Sequence, residues 1–106
     1  MEGYEVPQST QTLPVVALED DFRAEMKAEG WQVSTWANGP GDTYARHSHG
    51  YQKILCCLRG SIIFHTDESD VALREGDRLV LPPGTAHSAT VGPAGVRCAE
   101  AHLPVG

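Results

Sequence analysis

Residues 41–60 read GDTYARHSHGYQKILCCLRG, and residues 76–91 read GDRLVLPPGTAHSATV. In both stretches short apolar runs are bounded by glycine or proline, the punctuation of strands rather than of helices. By the same pattern, strand-like segments fall at 31–37, 44–49, 51–59, 61–66, 71–74, 78–81, 87–91 and 96–101. Turn clusters separate them at 38–41, Arg59-Gly60, 67–70, Glu75-Gly76-Asp77, Pro82-Pro83-Gly84 and 92–95. Eight short strands with a turn every eight to twelve residues predict an all-β sandwich or barrel. The exception lies at 18–29, where Leu18, Phe22 and Met26 recur every fourth position and Gly30 supplies a stop, so one short N-terminal helix is expected. Residues 1–15, with Pro7 and Pro14, read as an extended arm.

The chain has 106 residues, enough for one domain and too few for a second core. Fourteen acidic against eight basic residues give a net charge of −6, which opposes binding to nucleic acid or to an anionic membrane. The start MEGYEVPQST has neither a basic cluster nor an apolar stretch, so no signal peptide or membrane span is expected and a soluble, cytoplasmic protein is. Three cysteines, Cys56, Cys57 and Cys98, cannot form a closed disulfide framework; they suit a reducing compartment and read as small buried hydrophobes. The run 54–58 is apolar on both faces of its strand, so its outer side needs a cover. The helix, the N-terminal arm or a second subunit can provide one, and the expectation taken is a homodimer.

His47 and His49 stand two apart, so on a strand both rings project to one face. His87 follows the turn at 82–84, which can deliver it to the same place. Three imidazoles suit a divalent transition ion such as iron, manganese, nickel or zinc and leave coordination positions open, as a catalytic site requires. No phosphate-binding loop, nucleophile elbow or Cys-x-x-Cys pair occurs.

The spacings Gly41-x5-His47-x-His49-x3-Lys53-x6-Gly60 and Gly76-x5-Pro82-x-Gly84-x2-His87 resemble the two motifs of the cupin superfamily. The resemblance implies a cupin-type jelly roll, or double-stranded β-helix barrel, as a single domain over residues 1–106, with the first motif at 41–60 and the second at 76–91. It also implies a metal held inside by His47, His49 and His87. Two positions depart from the pattern: Lys53 stands where the family has a glutamate ligand, and Val91 where it has asparagine.

Parity along the strand puts His47, His49, Tyr51, Lys53, Leu55 and Cys57 on one face, the interior. Three roles are open to Lys53: pairing with an internal acid and binding an anionic substrate, lying neutral as a base, or reaching out to the rim. Glu100 is the candidate acid, either as Lys53's partner or as a replacement metal ligand; its plain alternative is an exposed acid on an edge strand. Gln52 can supply a fourth ligand if Gly50 introduces a bulge. The candidate catalytic residues are thus Lys53, Tyr51 and Glu100. His65 and His102 match no motif position and read as surface or hydrogen-bonded histidines, while Trp31, Trp36, Tyr44 and Phe64 read as core or pocket wall.

What the resemblance implies for function is a dioxygenase or isomerase acting on a small oxygen-rich molecule chelated at the metal. The rival from another class is a non-catalytic binding or sensing barrel, with or without metal. The sequence names neither substrate nor metal.

Overall fold

The computed structural model describes residues 15–102. One helix, α1 (Val15–Ala28), precedes six strands: β1 (Gln32–Asn38), β2 (Thr43–His47), β3 (Lys53–Thr66), β4 (Asp70–Arg74), β5 (Arg78–Leu81) and β6 (His87–His102). The expected N-terminal arm falls almost wholly outside the described residues. Helix α1 begins three residues earlier than its apolar spacing suggested and ends as expected at Gly30, whose φ of 81° is left-handed. There the Trp31 amide donates to the Met26 carbonyl (3.0 Å) and the Gly30 amide to the Lys27 carbonyl (2.9 Å). This double closure satisfies the last carbonyls of the helix and turns the chain into β1.

The strands form one antiparallel, six-stranded sheet around a long central pair, β3 and β6, in register from Lys53 opposite His102 to Thr66 opposite His87. Each long strand carries two short ones on its other edge: β5 and then β4 along β3, β1 and β2 along β6. The sequence suggested two strands where each of these long ones lies, with turns at Arg59-Gly60 and at 92–95. The chain does not reverse at either place. Gly60 (φ 76°) and Gly95 (φ 80°) instead sit at register shifts and irregular backbone that bend the paired strands. A Cβ on Gly60 would overlap the Gly95 carbonyl, so the two backbones approach as closely as glycine alone permits.

The bend makes the barrel. A straight strand from Lys53 to Thr66 would hold its ends roughly 43 Å apart at about 3.3 Å per residue. Here His49 lies 3.4 Å from Lys53, at one end of the β3–β6 ladder, and its ring centre lies 5.4 Å from that of His87, at the other, so the two ends curl toward each other.

The interior is filled by Leu55, Cys57, Ile62, Phe64, Leu73, Leu81, Ala89, Val91 and Cys98. Cys57 lies directly opposite Cys98, and both are fully buried. A second apolar cluster lies on the outer face, where Phe22 and Met26 of α1 cover Cys56, Leu58, Ala99 and Ala101. The cover that the run 54–58 required is therefore intramolecular, and that run no longer calls for a second subunit. Ion pairs fasten the helix at its edges, Glu19 to Arg97 (3.2 Å) and Glu25 to Arg78 (2.8 Å). The Arg78 guanidinium also lies over the Phe22 ring, 5.1 Å from its centre. No helix among the described residues is long and apolar enough to cross a membrane.

Candidate metal centre and its pocket

His47 ends β2 and pairs with His87, the first residue of β6, as a direct cross-strand neighbour. Their ring centres lie 4.4 Å apart. His49 belongs to the segment between β2 and β3, and its backbone carbonyl accepts the Gly84 amide at 2.8 Å. Pro82 to Thr85 close a tight turn, with the Thr85 amide donating to the Pro82 carbonyl (3.2 Å) and Gly84 at φ 78°, as expected where glycine follows Pro83 at the turn's third position. That turn delivers His87 to His49, at a ring separation of 5.4 Å.

The three imidazoles converge so that their ligand atoms all lie within 4.8 Å of one another. His47 Nδ1 bonds the Ala45 carbonyl (2.7 Å) and His87 Nδ1 the Thr85 carbonyl (3.0 Å). A ring that donates from Nδ1 to a carbonyl leaves the Nε2 lone pair for an ion. In a tetrahedral shell with bonds of about 2.0–2.1 Å the nitrogens stand ~3.4 Å apart, so the rings close on an ion by side-chain rotations that bring the ligand atoms together by up to roughly 1.4 Å. Burial is the main cause pushing the His49 and His87 pKa values down, and the positive charge of Lys53 and of neighbouring imidazoles adds to it. Both rings are thereby kept neutral near pH 7, the state a metal needs.

Lys53 projects inward. Its Nζ lies 3.4 Å from His49 Nε2 and 3.4 Å from Glu100 Oε1. The same Glu100 oxygen accepts the Trp36 indole N–H at 2.7 Å. Trp36, Tyr44, His47, Lys53 and Glu100 line a cavity of about 290 Å3, near the small end of ligand pockets. Trp36 and Tyr44 meet edge to face at 5.5 Å, and the Tyr44 hydroxyl donates to Asn38. Tyr51 stacks between His49 (5.2 Å) and His102 (4.9 Å). Gln52 lies half-buried in the segment joining β2 and β3. His65 is apart from the cluster, bonded to Asp70 (2.8 Å) and Thr90 (3.0 Å).

The structure thus brings His47, His49 and His87 together, sets Lys53 and Glu100 beside them as a pair, and places Tyr51 against His49. The hold of Trp36 on Glu100 was not visible in the sequence, where the two are far apart; only the pairing of β1 with β6 makes them neighbours.

Residues 35–101 match the model of the AraC-like ligand binding domain. The chain belongs to this cupin-type family. Over 67 residues, 61% of its length, this cupin is 33% identical to quercetin 2,3-dioxygenase of Bacillus subtilis (strain 168), of which the matched part is 20%. It thus spans about a fifth of that curated relative. An uncharacterised conserved protein with a double-stranded β-helix domain from Klebsiella pneumoniae is 26% identical, with a TM-score of 0.62 over 70% of this chain and 67% of that one. An RmlC-like cupin from Shewanella frigidimarina shares the fold at 20% identity, with a TM-score of 0.64 over 71% and 67% of the two chains. The cupin barrel expected from the motif spacings is borne out.

Proposed function

We propose that this cupin holds a divalent transition metal on His47, His49 and His87 and presents it to a small oxygen-rich molecule in the adjoining pocket. The observation that carries the reading is the convergence of three imidazoles, two of them fixed by backbone carbonyls, of which His47 lines a 290 Å3 cavity. A metal bound there supplies Lewis acidity and open positions for a chelating oxygen ligand. The chain's own groups do the rest: Trp36 and Tyr44 form an apolar wall, Lys53 and Glu100 offer a donor and an acceptor, and Tyr51 braces His49. The relationship to a quercetin dioxygenase favours dioxygenase chemistry on a diol as the activity. The family's description as a ligand-binding domain favours the second reading, a non-catalytic sensor whose occupancy is passed on. A single domain over residues 1–106, a homodimer and a cytoplasmic location belong to this proposal.

Elemental analysis of protein purified without added metal tests it. One equivalent of metal is expected in the wild type and less than a tenth of that in His47→Ala and His87→Ala. Equal content in all three would overturn the site. Oxygen uptake by the iron-loaded protein with a panel of catechols then separates the readings: turnover supports the enzyme, and ligand retention without turnover supports the sensor.

A further inference from the structure

The residue that departs from the cupin motif also changes the charge of the site. A glutamate at position 53 would bring one negative charge; Lys53 brings one positive, a difference of two charge units beside the three imidazoles. Glu100 balances Lys53 while the site holds no ion, at 3.4 Å and with the Trp36 indole steadying the same oxygen. A dication on the histidines then adds two positive charges to a part-buried pocket with no further acid among its lining residues. Uncompensated charge in such a place is costly.

Hydrogen bonding points the same way. The Lys53 ammonium has three donors, and Nζ lies 3.4 Å from His49 Nε2, to whose lone pair it donates when that ring carries its proton on Nδ1. That lone pair is the one an ion would take from His49, so metal binding displaces Lys53 and frees an N–H at the edge of the coordination shell. The cavity beside it is small, and its wall is the Trp36–Tyr44 pair, which suits a flat body.

We propose that Lys53 makes this pocket a metal-dependent anion site, whose ligand is a small flat carboxylate or enolate that bonds Lys53 and completes the metal shell in place of the missing glutamate. The inference rests on the metal-site reading above and names its ligand class. It carries a thermodynamic signature: if metal strengthens anion binding by some factor, the anion strengthens metal binding by the same factor.

Calorimetric titration in chloride-free buffer tests it, with zinc as the ion, benzoate as the probe anion and benzamide as its neutral counterpart. Benzoate is expected to bind the zinc-loaded protein at least tenfold more tightly than the metal-free protein, with zinc affinity rising by an equal factor when benzoate is present. Benzamide should show less than a twofold difference. In Lys53→Met the benzoate factor should fall below threefold while zinc is still bound, since its competitor for His49 is gone. The double variant Lys53→Met/Glu100→Gln leaves no unpaired acid, and gives the same result if the single variant folds poorly. Cobalt in place of zinc provides a second readout, a benzoate-induced change in its visible spectrum that is lost with Lys53. Zinc uptake without benzoate coupling, or coupling that survives in the Lys53 variants, overturns this inference alone. Failure to take up zinc overturns the metal reading and this inference with it.

Discussion

Lys53 shows how far one side chain can be followed from the sequence. Strand parity gave its direction, although the chain between β2 and β3 leaves the sheet. Of the roles open to it, the pairing with Glu100 is the one the geometry displays. What parity could not supply was the third member, Trp36, because cross-strand neighbours depend on register and register is set by packing of the whole barrel. The histidines carry a second residue-scale consequence. Folding lowers the pKa of His49 and His87, chiefly by burial, so the unfolded chain binds protons more readily than the folded one. The contribution of these two residues to the stability of the metal-free protein is therefore complete above the ordinary histidine value and declines as the pH falls below about 6.5. The urea midpoint should be lower at pH 5.5 than at 7.5, and His87→Gln should shrink that difference. A midpoint that rises on acidification would contradict the assignment. Glu19, Glu25 and Asp67, whose carboxyls are held down by arginines, contribute in a separate and more acidic window.

At the scale of elements, Gly60 and Gly95 separate what the sequence made legible from what it hid. A glycine beside an apolar run signals a break, and both positions were read as turns between separate strands. A reversal and a bend share the same local requirement, positive φ without a side chain, so local chemistry cannot distinguish them. Only the partner strand decides: β3 pairs through Gly60 (opposite Val96) and again from Ile62 (opposite Val91), so residues 92–95 of β6 leave the ladder opposite Ser61 and the two strands then pair on in the same direction. Replacement separates the two costs at work. Gly60→Ala meets both a left-handed φ and the Gly95 carbonyl, and should lose at least about 2 kcal/mol. Gly30→Ala meets only the φ, since no atom stands within 4 Å of its Cβ, and should lose about 1 kcal/mol. Equal midpoints for the two variants in chemical denaturation would mean that the close approach at Gly60 is not a constraint. The turn at 82–84, by contrast, was readable in advance because proline and glycine there admit few alternatives.

Across the whole molecule, the helix and the metal centre lie on opposite sides of one sheet. Phe22 and Met26 seal the outer face, while the histidines and Lys53 gather on the inner one. Removing the Phe22 ring should cost about 3–5 kcal/mol, as for other fully buried aromatics. Zinc affinity of folded Phe22→Ala should stay within twofold of the wild type. A much larger change in zinc affinity would show that the helix supports the site through the sheet. The amphipathic spacing identified the helix in advance; its target was hidden, because an apolar strand face does not say whether its neighbour is a helix or another copy.

The strand order has a kinetic consequence. Strand β1 finds its partner in β6, with Gln32 opposite His102, and β2 also waits for β6. Neither can pair until nearly all of the intervening polypeptide has been synthesised and has left the ribosome. High contact order of this kind places folding in the millisecond-to-second range. During synthesis the nascent chain exposes β3 without its central partner, so chaperone protection matters most in that interval.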